Sequence, residues 1–129
     1  MKEKCNVFLL CIMLSFTAIA ANATQIWDGK TKEPWTKGSG TESDPYLIET
    51  PANLAYLAAQ VNLGNTYEDV YFLQTDDINL NSKSWPLIGA NSKAFAGCYD
   101  GGQKQVRNAT TYLFGLIQSA AIKNLTIAG

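Results

Sequence analysis

Histidine is absent from the chain, and arginine occurs once, at Arg107. Without an imidazole to accept a proton from a nucleophile, Ser-His-Asp and Cys-His arrangements cannot be assembled. Any zinc site would be reduced to cysteine and carboxylate ligands. Cysteine is scarce too, with Cys5 and Cys11 near the start and Cys98 far from both. No basic stripe is present: 10 Lys/Arg stand against 11 Asp/Glu, for a net charge of −1, which argues against nucleic acid as a partner. The longest apolar-leaning run, Val7 to Ile19, falls short of the ~20 residues that a bilayer-spanning helix needs.

That run has a different use. Lys2 and Lys4 precede it and Ala21-Asn22-Ala23 offers a small-x-small exit, the layout of a secretory signal peptide cleaved after Ala23. Cys11 follows Leu9-Leu10 rather than a small residue, which does not suit a lipidation site. The protein is therefore expected outside the cytoplasm, extracellular or at the cell surface, with the periplasm as an alternative, and with no stable membrane span once the leader is gone. Loss of Lys2, Glu3 and Lys4 leaves eight basic and ten acidic side chains, a net charge of −2. Cys98 becomes the single thiol, unable to form an internal disulfide, and its place between Phe95 and Tyr99 suits a small buried hydrophobe better than a nucleophile.

After the leader (1–23), residues 24–40 read as an N-terminal arm carrying Trp27 and Trp35, without helical or strand period. The arm can lay its Trp side chains over an open end of the core. A turn cluster, Gly38 to Pro45, opens the main unit, 41–129. Tyr46-Leu47-Ile48 is a short strand. Thr50 can then cap a helix over Pro51 to Asn62: proline at the first position gives up no needed amide, and Leu54, Leu57, Ala58 and Val61 share one face. Gly64 supplies a left-handed stop. This helix is expected to cover the first of the strands that follow, whose edge would otherwise be open. Brief apolar rungs come next, at Val70 to Leu73, Ile78 to Asn81, Trp85 to Ile88, Phe95 to Tyr99, Gln105 to Asn108 and Ile122 to Ile127, separated by Asn, Asp and Gly. The tight Asp100-Gly101-Gly102 reads as a turn between two of them.

The succession Gly40-Thr41-Glu42-Ser43-Asp44-Pro45-Tyr46-Leu47-Ile48, Asp77-Ile78-Asn79-Leu80, Trp85-Pro86-Leu87-Ile88-Gly89, Phe95-Ala96-Gly97-Cys98-Tyr99-Asp100-Gly101, Leu113-Phe114-Gly115-Leu116-Ile117 and Ile122-Lys123-Asn124-Leu125-Thr126-Ile127 resembles the opening of bacterial secreted and surface proteins that carry the GLUG motif. The resemblance implies a mainly β fold: the start of a right-handed parallel β-helix, pectin-lyase-like in architecture, with the N-terminal helix as its cap. Two places depart from the motif. No His follows Gly101-Gly102, and Tyr112 stands where a leading Gly is expected. The motif is structural, so it transfers no catalytic residues. A domain of this kind ending after Ile127 would be incomplete at its C-terminus, or would pair its open last rung with a partner strand.

Candidate chemistry is thin. Asp77, Asn79 and Asn81 fall at the first, third and fifth places of a calcium loop, but Ser82 and Ile88 occupy the places that need Gly and a bidentate Glu. Stacked asparagines bonding backbone at a turn fit better. Carboxylate pairs for glycoside chemistry narrow to Asp76 with Asp77, or Asp100 with Glu68, and Arg107 has no acidic cluster beside it for lyase chemistry. No catalytic residue, metal or cofactor is assigned. Trp27, Trp35, Trp85, Tyr67, Tyr99 and Tyr112 offer flat faces for sugar rings, or else fill the core. The reading is a noncatalytic exported surface module, adhesive or structural, with a glycan or host-matrix protein as its partner. The alternative is the N-terminal fragment of an exported carbohydrate-active enzyme whose catalytic part lies elsewhere.

Overall fold

Apolar segments too short to bury themselves alone find partners by returning to the same register again and again. The computed structural model describes residues 25–129, so the signal peptide and the cleavage after Ala23 lie outside the described residues. Along them run β1 (Tyr46–Ile48), α1 (Pro51–Asn62), β2 (Tyr71–Gln74), β3 (Ile78–Asn79), β4 (Cys98–Arg107) and β5 (Ala121–Ile127). The class is mainly β with one short helix. Every strand pairing among the described residues is parallel, in a sheet of order β1-β2-β4-β3 with β5 also on β4.

Parallel neighbours require a long connection between them. Tyr46 pairs with Phe72, Phe72 with Tyr99 and Tyr99 with Ile122, so the chain comes back after 26, 27 and 23 residues (46 to 72, 72 to 99, 99 to 122). A second column joins Ile78 to Val106 and Val106 to Ile127. Isolated parallel bridges continue the pattern at Ile26 with Asn79, Ile88 with Phe114 and Phe95 with Ile117. The expected strand Trp85 to Ile88 is reduced to one such bridge, because Pro86 has no amide to donate and Gly89 turns the chain at a φ of 101°.

β4 is one strand where the sequence suggested two. Its first residues pair with β2, its last with β3, and its ladder to β5 shifts register between Asp100 and Lys104. Gly101 allows this bend by close approach: a Cβ there would lie 2.5 Å from the Asn124 carbonyl oxygen and 2.7 Å from the Leu125 Cα. What reads locally as a turn is thus a corner inside a continuous ladder.

The core follows the columns. Ile48, Phe72, Ile78, Ile88, Phe95, Tyr99 and Val106 are buried together with Leu54, Leu57, Ala58 and Val61 of α1. At ~1.5–3 kcal/mol for each large apolar side chain removed from water, this face is what holds the helix down. Thr50 caps α1 by accepting from the Asn53 amide at 3.1 Å, and Gly64 follows its end at a φ of 113°. The arm joins the same core. Trp27 is buried edge-on against Trp85 at 5.4 Å, while Trp35 meets Tyr46, Tyr56, Tyr67 and Phe72.

Candidate functional site

The two ends of the stack are finished differently. At the N-terminal end, the Trp27 amide donates to the Asn79 carbonyl at 3.0 Å, so the arm serves as the neighbour β3 would otherwise lack. The Asn62 carboxamide does the same for the next segment. Its Nδ2 donates to the Leu87 carbonyl at 2.9 Å, and its Oδ1 accepts from the amides of Gly89 (3.1 Å) and Ala90 (2.7 Å). Asn53 ties arm to helix, donating to the carbonyls of Glu33 and Pro34.

At the C-terminal end nothing comparable is present among the described residues. β5 pairs with β4 alone. An open cavity of about 490 Å³ lies there, lined by Leu113, Phe114, Ile122, Leu125 and Ile127 with Thr111, Tyr112, Lys123 and Asn124 at its polar margin. Leu116, Ile117 and Ile127 are 47, 45 and 45% exposed. A smaller cavity of about 200 Å³ sits between the arm and the start of α1, beside Trp27, Asp28 and Pro51.

The aromatic candidates are dispersed rather than gathered. Trp27 and Trp85 are buried, their indole N–H groups donating to the carbonyls of Thr31 and Leu113, both at 3.0 Å. Tyr99 is fully buried and its hydroxyl donates to Gln74 Oε1 at 2.8 Å; burial, with a lesser contribution from Asp100, pushes its pKa up. Gln74 in turn donates to the carbonyls of Asp76 and Gln105. Burial likewise raises Tyr67, followed by the nearby Tyr56 and Tyr46. Trp35 is half-buried in its aromatic cluster. Tyr112, 78% exposed at the rim of the large cavity, is the one of these six that presents its ring to solvent.

Asp28, Asp77 and Asp100 are engaged in holding the backbone. Asp77 accepts from the Gln105 amide at 2.9 Å and pairs with Arg107 at 3.1 Å. Asp100 accepts from the Gly102 amide and from Asn124 Nδ2 at 2.9 and 3.0 Å. Asp76 takes a hydrogen bond from the Thr75 hydroxyl, and Glu68 is exposed. Asp28 closes a turn by accepting from the Thr31 hydroxyl and from the amides of Thr31 and Lys30, and these bonds hold its carboxyl far below the usual range. Asn79 Oδ1 accepts from the Asn81 amide and from Asn108 Nδ2, both at 2.8 Å, so the acidic-looking run at 77–81 is a stacked corner. Among the described residues no group of His, Cys, Asp and Glu is placed to hold a metal.

Cys98 is buried in β4. The Asn62 seal and the arm's strand-like role had no signature in the sequence, since both depend on residues far along the chain. No described helix is long and apolar enough to cross a membrane.

Comparison with known proteins adds one likeness. No family model matches the chain, and no solved structure matches it at a significant level. Halomucin of Haloquadratum walsbyi (strain DSM 16790 / HBSQ001) is 34% identical over 80 residues, which covers 55% of this chain and 1% of that protein. The chain thus corresponds to about one hundredth of the length of the curated relative it matches.

Proposed function

We propose that the chain is a noncatalytic exported surface module, adhesive or structural, built as the opening of a right-handed parallel β-helix like those of GLUG-motif proteins, with α1 as its cap. The observation that carries this reading is the repeated parallel return, Tyr46 to Phe72 to Tyr99 to Ile122, beneath which helix and arm close one end. Export rests on the leader's layout, and the likeness to a protein named Halomucin is consistent with a surface setting. In the adhesive form, Tyr112 is the ring on which a glycan would stack, a sugar's apolar face matching an exposed aromatic. A host-matrix protein is the other partner to be tried. A second reading, the N-terminal part of an exported carbohydrate-active enzyme, is favoured by the open end that could accept another rung.

Cells expressing the full chain test this directly. Fractionation is expected to find a product shortened behind Ala23 that external protease removes from intact cells. Retention inside the cell at full length would overturn the surface reading. A glycan array with the processed chain then separates the two forms: binding lost in Tyr112→Ala identifies the adhesive one, and no binding leaves the structural one.

A further inference from the structure

We propose that the chain cuts its own backbone between Asp44 and Pro45, an intramolecular hydrolysis that is independent of the presentation role above. In the turn that leads into β1, the Asp44 carbonyl oxygen accepts from three consecutive amides, those of Ser39 at 3.0 Å, Gly40 at 2.9 Å and Thr41 at 3.2 Å. The Ser39 hydroxyl lies 3.5 Å from the same oxygen. A carbonyl oxygen has two lone pairs, so this cradle holds more donors than a peptide group in its ground state can use well. A tetrahedral oxyanion has one lone pair more. Fixed amide donors aimed at such an oxygen are how acyl-transfer sites stabilise the charge that develops when a carbonyl is attacked.

The fold holds the cradle in place. Gly38 and Gly40 turn the chain at φ of 97° and 86°, and a Cβ on Gly38 would lie 1.9 Å from the Pro45 carbonyl oxygen. The Leu47 amide donates to the Lys37 carbonyl at 3.1 Å and the Tyr71 amide to the Gly40 carbonyl at 2.9 Å, tying the loop to β1 and β2. Asp44 itself supplies the nucleophile. Its amide is anchored on the Thr41 carbonyl and hydroxyl, both at 3.1 Å, while the residue is exposed. A carboxylate oxygen of Asp44 can close a succinic anhydride ring onto its own carbonyl carbon. The new C–O bond forms, the C–N bond to Pro45 breaks, and the proline nitrogen takes a proton from water and leaves as a secondary amine. The hydroxide so formed opens the anhydride, and the net reaction consumes one water and nothing else. The cut separates the arm from β1, yet Trp27 and Trp35 stay packed in the core, so the two pieces remain together.

Mass spectrometry on the purified exported chain, held at neutral pH and denatured only when sampled, tests this. Two fragments are expected, one ending in Asp44 and the other beginning with Pro45. They should form roughly tenfold or more faster in the folded chain than in chain kept unfolded in urea, because loss of the amide donors slows acyl transfer at least that much. Asp44→Ala keeps the carbonyl and its three donors but lacks the carboxylate, and is expected to stay whole. A wild-type chain that stays whole would overturn the proposal. Equal rates in folded and unfolded chain would also overturn it, since the cradle would then contribute nothing, and so would a cut that persists in Asp44→Ala. Should that variant fail to fold, the wild-type rates with and without urea decide alone.

Discussion

Asn62 does with a side chain what an adjacent strand does with a peptide group, donating once to the Leu87 carbonyl and accepting from Gly89 and Ala90. Asn62→Ala leaves those groups without partners in a part-buried place, and each buried polar group left unsatisfied costs ~1–3 kcal/mol. The expected result is a clear drop in the urea midpoint at an unchanged slope. Tyr99 offers a second test, because its hydroxyl is the donor to the buried Gln74 Oε1. Tyr99→Phe is expected to lower stability by about 1–3 kcal/mol at neutral pH. Its folded pKa is raised by burial first and by Asp100 second. A raised pKa in an acid means that its contribution is whole below the unfolded value of about 10 and is lost as pH rises beyond it. Wild-type unfolding midpoints should therefore fall above about pH 10, and more steeply than those of Tyr99→Phe, with Tyr67 keeping a smaller slope in both.

Helix α1 shows how far local signals reach. Thr50, Pro51, the Leu54-Leu57-Ala58-Val61 stripe and Gly64 are all local, and the helix they announce runs over Pro51–Asn62 as expected. Leu57 is fully buried, so Leu57→Ala is expected to cost ~2–5 kcal/mol in chemical unfolding. β4 shows where local signals stop. Asp100-Gly101-Gly102 has the composition of a turn, yet the approach of Asn124 and Leu125 makes it a corner within one strand. Gly101→Ala would press a methyl group against that backbone, and a loss of ~1–3 kcal/mol is expected, seen as earlier exchange of β5 amides than of β2 amides. The site was harder to read than the elements. Whether Trp27, Trp85 or Tyr99 faces a ligand or the core depends on burial made by residues dozens of places away, and among the aromatic candidates the fold leaves Tyr112 outside.

At the scale of the whole molecule, the chain is a stack with direction. Its first described rung is sealed by arm and helix, and the interior columns Tyr46-Phe72-Tyr99-Ile122 and Ile78-Val106-Ile127 run from there to β5. Among the described residues that layout gathers no group of His, Cys, Asp and Glu placed to hold a metal. The stack itself is what nuclear Overhauser contacts on the isotopically labelled chain test most directly. Parallel stacking predicts amide-to-Hα contacts linking Phe72 with Tyr99 and Tyr99 with Ile122, in one direction along both pairs. Strong Hα-to-Hα contacts between these segments, the mark of an antiparallel ladder, would contradict it.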